Sequence, residues 1–125
     1  MSHILLVEDD RFMQEALSLT LEIMGCKVSL AADSDEAWRI LTDHPVATFN
    51  AIISDMQMPG KDGLALLAEV KREESLHRNL PFILLSGSMT PELRERALQG
   101  GAKEALSKTE HKLQAILKGL LNLKE

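Results

Sequence analysis

The chain has a single cysteine, Cys26. That excludes an internal disulfide and any cysteine-rich zinc site, and it fits a reducing compartment, the cytoplasm. No stretch approaches the roughly 18 consecutive apolar residues that a membrane span needs. The N-terminus has no basic region ahead of a longer apolar segment, so no secretory signal is expected. Lysine and arginine never form a run, and the net charge of −5 argues against direct binding to nucleic acid. His3, His44, His77 and His111 are scattered and lack metal-ligand spacing.

What remains is a small globular chain. Its 125 residues, 45% of them apolar, suffice for one core and one domain over 1–125. Short apolar runs alternate with longer amphipathic segments. Strands are expected at His3–Val7, Cys26–Leu30, Ala51–Ser54, Pro81–Ser86 and Lys103–Ser107. Helices are expected at about Arg11–Met24, Ser34–Thr42, Gly63–Glu74, Pro91–Gln99 and Glu110–Leu123. Five repetitions of strand then helix point to an α/β fold with a parallel sheet covered on both faces.

Several boundaries have local causes. Gly25 can take the left-handed conformation that closes the first helix. Asp33 with Glu36 resembles a capping box, and Thr90-Pro91 sets a cap before a proline suited to a first helical turn. Leu113, Ile116, Leu117, Leu120 and Leu121 recur at helical spacing and mark one apolar face. Ile4–Val7, Ile52–Ile53 and Phe82–Leu85 are continuously apolar, as central strands are; Cys26–Leu30 alternates, as an edge strand does. An edge second strand beside a central first strand fits the doubly wound order 2-1-3-4-5. Its switch point, where ligands bind at the carboxyl ends, lies between strands one and three.

Acidic residues crowd one side of that point. Ile4-Leu5-Leu6-Val7 runs straight into Glu8-Asp9-Asp10. Like charges about 4 Å apart repel by roughly 4 kcal/mol at an effective dielectric near 20, so something must offset the cluster. Asp10 reads as a helix N-terminus. Asp55, closing the third strand, would emerge beside Glu8 and Asp9. Such a cluster suits Mg²⁺, which takes few carboxylates together with waters and phosphate oxygens. Asp9 and Asp55 are the direct ligands in this reading, the Gln57 backbone carbonyl a third, and Glu8 acts through water. The fourth and fifth strands bring Ser86 and Lys108 to the same edge, a hydroxyl and a cation of the kind that phosphoryl oxygens need. The set suits phosphoryl transfer onto Asp55 itself, giving an aspartyl phosphate.

Glu8-Asp9, the run Asp55-Met56-Gln57-Met58-Pro59-Gly60-Lys61-Asp62-Gly63, Ser86-Gly87 and Lys108 together resemble the receiver domain of bacterial two-component response regulators. The resemblance covers essentially the whole chain. It implies a flavodoxin-like (βα)5 fold and a histidine kinase or histidine phosphotransfer protein as phosphoryl donor. It further implies an inward pull on the Ser86 hydroxyl and a repacked face of fourth helix, fifth strand and fifth helix. That face would meet a downstream target, a fused output domain or a second copy of the chain. A receiver is not a turnover enzyme; it promotes only its own phosphorylation and dephosphorylation.

Two positions depart from the family pattern. Thr109 stands where a proline, commonly in a cis bond, usually follows the lysine; a trans bond is expected here. Ala105 stands where an aromatic switch residue is usual, so switching must use the backbone or the fourth helix. Gln57 and Ser88 occupy positions that tune phosphoryl lifetime in the family. Two alternatives stay open. One is a degenerate receiver that only binds proteins. The other is an aspartate-nucleophile phosphatase, against which Gln57 counts, since such enzymes carry a second carboxylate there.

Overall fold

The computed structural model describes residues 2–43 and 49–121. In chain order the elements are β1 (His3–Val7), α1 (Arg11–Ile23), β2 (Lys27–Ala31), α2 (Ser34–Asp43) and β3 (Ala51–Asp55). They continue with α3 (Gly63–Val70), β4 (Phe82–Ser86), α4 (Pro91–Gln99), β5 (Glu104–Ser107) and α5 (Leu113–Leu120). The strands form one parallel sheet in the order β2-β1-β3-β4-β5. This is the doubly wound α/β architecture expected from the strand pattern.

Alternation along each central strand builds two cores. Leu5, Val7, Ile52, Phe82 and Leu84 face Leu41, Leu66, Leu67, Val70 and Ala97, which come from α2, α3 and α4. Ile4, Leu6, Ile53, Ile83 and Leu85 face Leu17, Leu21 and Leu117 of α1 and α5. With helices on both sides, β1, β3 and β4 are buried throughout, which is why they read as unbroken apolar runs. Strand β2 is the wet edge, with Lys27 and Leu30 exposed. Trp38 packs against the first cluster. Helix α1 carries a second apolar stripe, Phe12, Leu19 and Ile23, that the core does not use; these residues are 84%, 60% and 71% exposed.

The caps follow the local sequence. Asp10 accepts the Met13 N–H at 3.0 Å, Asp33 accepts the Glu36 N–H at 2.8 Å, and Thr90 accepts the Leu93 N–H at 3.1 Å. Gly25, at φ 92°, turns the chain out of α1 while Cys26 N–H donates to the Leu21 carbonyl.

Two helix boundaries are tighter than expected. Helix α3 stops at Val70 and not at Glu74. The Lys71 side chain donates to the carbonyls of Arg78 and Leu80, at 2.9 and 2.6 Å, and draws residues 71–80 into successive turns. Helix α5 starts at Leu113 and not at Glu110. Residues 110–113 make three-residue turns, and Lys112 offers no side-chain cap. The expected end of that helix at Leu123 lies outside the described residues, as does His44.

Candidate functional site

The sheet delivers the acidic residues to its carboxyl edge at the switch point. β1 pairs with both β2 and β3, so its end opens directly on the end of β3. Glu8 follows β1 and is 1% exposed; Asp55 closes β3 and is 5% exposed; Asp9 is exposed. One carboxylate oxygen from each of the three lies within 4.8 Å of the others.

Lys108 enters the cluster from beyond β5. Its Nζ lies 2.7 Å from Glu8 Oε1 and 3.1 Å from Asp55 Oδ1. The first contact is an ion pair without the angle of a hydrogen bond, leaving Glu8 Oε1 buried and short of a well-aligned donor. The ammonium offsets carboxylate repulsion within the protein. Burial still raises the Glu8 carboxyl above the usual carboxylate range, against the lowering pull of Lys108 and of the Asp10 N–H. Burial also acts to lower Lys108, but the close carboxylates of Glu8 and Asp55 outweigh it and leave the ammonium raised.

The same local device recurs at four strand ends: a side chain accepts the backbone N–H two residues on. Asp10 N–H donates to Glu8 Oε2 at 3.0 Å and Gln57 N–H to Asp55 Oδ1 at 3.4 Å. Ser88 N–H donates to Ser86 Oγ at 3.1 Å and Thr109 N–H to Ser107 Oγ at 3.2 Å. Short acidic and hydroxyl side chains favour such turns.

Further contacts fix the loops. Gly63 N–H donates to the Met56 carbonyl at 2.8 Å and folds the loop after β3 back on itself. A Cβ at Gly63 would lie 2.5 Å from the Asp55 carbonyl and 2.9 Å from Met56 Cα, so only glycine fits there. Asp62 caps α3 by accepting the Ala65 N–H at 2.9 Å. The buried Ser34 donates to the Lys61 carbonyl at 3.0 Å and ties the start of α2 to the same loop. Gln14 Nε2 donates to the Glu8 carbonyl at 3.1 Å.

The structure therefore gathers the carboxylates of Glu8, Asp9 and Asp55 and brings Lys108 against Glu8 and Asp55. Ser86 sits one position beyond Leu85, the residue paired with Asp55, and is 2% exposed. Gln57 is exposed next to the cluster. The Lys108–Thr109 bond is trans, as expected. Ala105 is buried in the core that Met89 and Leu93 flank. Arg94 pairs inside the chain, with Nε and Nη2 at 2.9 and 3.0 Å from the two oxygens of Glu104. Ser34 and Ser107 had no assigned role in the sequence; Gly63 entered only within the run after Asp55, and Thr109 only as a departure from the family pattern. For the hydroxyl residues the signal was their place at a strand or helix end, where they satisfy loose backbone groups.

A buried carboxylate short of donors, two further carboxylates and an open side at Asp9 form an all-oxygen donor set. It fits a hard divalent cation and not a soft one.

Known proteins share this chain's pattern. The family model described as response regulator receiver domain matches residues 4–118. The C4-dicarboxylate transport transcriptional regulatory protein DctD of Rhizobium meliloti is 38% identical over 106 residues, covering 84% of this chain and 22% of that protein. Response regulator Rre1 of Synechocystis is 36% identical over 121 residues, covering 94% of this chain and 51% of that protein. The chain thus spans about a fifth to a half of the length of these relatives. Among solved structures, the chemotaxis protein CheY4 of Vibrio cholerae superposes with a TM-score of 0.82 at 27% identity over 99% of both chains. A response regulator receiver domain protein of Clostridium thermocellum gives 0.84 at 27% identity, over 98% of this chain and 95% of that one. With the fold, the carboxyl-edge cluster and the family match in agreement, the chain belongs to the response regulator receiver domains of two-component signalling.

Proposed function

We propose that this domain accepts a phosphoryl group on Asp55 from the phosphohistidine of a histidine kinase or phosphotransfer protein. The observation that carries the reading is the convergence of three carboxylates and one ammonium at the switch point. An Asp55 oxygen attacks phosphorus, the P–N bond to the donor imidazole breaks, and the imidazole nitrogen takes up a proton. The product is an acyl phosphate. Glu8 through water, Asp9, Asp55 and the Gln57 carbonyl would hold Mg²⁺. When bound, that ion supplies charge neutralisation at the transferred group. Lys108 and the Ser86 hydroxyl receive the phosphoryl oxygens, and burial around them strengthens both interactions.

The output follows from the same residues. Moving the Ser86 hydroxyl toward a phosphoryl oxygen frees the Ser88 N–H that it now accepts, and shifts the chain leading to α4. With Ala105 small and buried, α4 and the backbone carry the change to the α4–β5–α5 face. That face contacts a protein target, a fused output domain or a second copy of the chain. The domain itself binds no nucleic acid and turns over no outside substrate. Among the described residues no helix is long and apolar enough to cross a membrane, and the working place is the cytoplasm.

The test is incubation with Mg²⁺ and acetyl phosphate, in parallel with Asp55→Ala. Wild type is expected to gain one acid-stable, base-labile phosphoryl group and the variant none. An unmodified wild type would point to a binding module, and sustained hydrolysis of unrelated phosphoesters to a phosphatase.

A further inference from the structure

We propose that Ser107 and Thr109 act together as positioning residues for phosphoryl transfer, holding the turn from which Lys108 reaches Glu8 and Asp55. The inference rests on the reading of Asp55 as phosphoacceptor. Lys108 stands between the two hydroxyl residues, at the point where β5 has ended and α5 has not begun. Four contacts bracket it. Lys108 N–H donates to the Ser86 carbonyl at 2.9 Å and Glu110 N–H to the Ser107 carbonyl at 3.1 Å. Thr109 N–H donates to Ser107 Oγ at 3.2 Å, and the two hydroxyls lie 2.9 Å apart, where either can donate.

The geometry links these contacts to the site. A lysine side chain carries about 2 kcal/mol of rotamer entropy, so it cannot by itself hold an ammonium in one place. Here the ammonium sits within 3.1 Å of carboxylates at the ends of two other strands. A small rotation of the turn would swing the Lys108 Cα–Cβ bond and pull the ammonium off one of them. The Ser107 hydroxyl has its backbone partner because residue 109 is a threonine; a proline there has no N–H to give. The β-branch of Thr109 restricts its own side chain and so fixes the second contact. In this chain two hydroxyls and one N–H thus do the work of a rigid ring. Ser107 is half-buried and Thr109 exposed, so truncating either opens no core cavity.

Ser107→Ala, Ser107→Thr and Thr109→Val in the full chain test the idea. Three quantities are read: phosphorylation rate with acetyl phosphate at saturating Mg²⁺, the ¹⁵N signal of the Lys108 ammonium, and melting temperature. Ser107→Ala is expected to slow phosphorylation about tenfold, the scale of a sub-ångström misplacement. Its Lys108 signal should lose the slow exchange of a held ammonium while its melting temperature stays near wild type. Thr109→Val should show a smaller loss in the same direction, and Ser107→Thr should restore most of the rate. A wild-type rate and a wild-type Lys108 signal in Ser107→Ala overturn the proposal. So does Ser107→Thr proving as slow as Ser107→Ala. If wild type takes no phosphoryl group, the Asp55 reading fails on its own. The Lys108 signal then decides: release in Ser107→Ala upholds the positioning role, and no change overturns it.

Discussion

The Lys108 ammonium lies 2.7 Å from Glu8 Oε1, an ion pair that joins the ends of the last and the first strands. The contact makes Lys108 a competitor of any cation that uses the same carboxylates. Lys108→Met should therefore tighten Mg²⁺ binding, on the order of tenfold by loss of one nearby positive charge. The same variant should phosphorylate about a hundredfold more slowly, because a donor to the transferred group is gone. Calorimetric titration and an acetyl phosphate time course read the two effects. Unchanged or weaker Mg²⁺ binding would show that the ammonium and the cation occupy separate places.

Glu8 gives a prediction with a definite sign in pH. Burial raises its carboxyl in the folded chain. The stability linked to a raised acid is present below its unfolded value and is lost as pH rises through its folded value. In EDTA at pH 7.5, Glu8→Gln should thus melt a few degrees above wild type. The gap should close as the pH falls toward the ordinary glutamate range and the wild-type carboxyl takes up its proton. A gap that is constant or widens on acidification would contradict the assignment.

Gly63 and Gly119 should respond to alanine with opposite signs. At Gly63 the added Cβ meets the Asp55 carbonyl at 2.5 Å and Leu84 Cδ1 at 2.6 Å. Overpacking against backbone should cost about 3 kcal/mol and displace Asp55, lowering phosphorylation as well. At Gly119, inside α5, nothing lies within 4 Å, and alanine should gain about 0.5–1 kcal/mol. Denaturant melts of the two variants measure both.

Cys26 should behave as an inert thiol. It is 4% exposed, and burial pushes its thiol up, so less thiolate is present at pH 8 than for a free cysteine. Alkylation of the native protein should be far slower than of the unfolded chain and should accelerate only with denaturant. Fast labelling of native protein would mean that the end of α1 opens locally.

Much of this architecture could be read from the residues. Strands buried on both faces write unbroken apolar runs, so β1, β3 and β4 were legible, and the alternation of β2 marked it as an edge. The placement of Asp9, Asp55, Ser86 and Lys108 at the carboxyl edge of the sheet was legible because each ends a strand or follows one. Other features depend on tertiary contact. The early end of α3 goes with Lys71 reaching the carbonyls of Arg78 and Leu80, contacts that no periodicity encodes. In α1 apolar residues occupy most of the circumference, and only packing shows that Leu17 and Leu21 face inward while Phe12, Leu19 and Ile23 face out. From the residues alone, a bound cation is the expected answer to the charge crowding. The fold supplies a partner of its own in Lys108, which only the meeting of the first and last strand ends reveals.

At four strand ends a side chain already accepts the amide two residues ahead. An anion arriving at this edge meets groups that are ordered and oriented beforehand, and it exchanges partners where a floppy rim would have to be recruited. The configurational entropy of these loops is surrendered once, when the chain folds, and little is left to surrender when a ligand comes and goes. On the function proposed above, a receiver built this way would be loaded and cleared with small rearrangements near the chemistry, leaving the larger displacement for the helix proposed to report it.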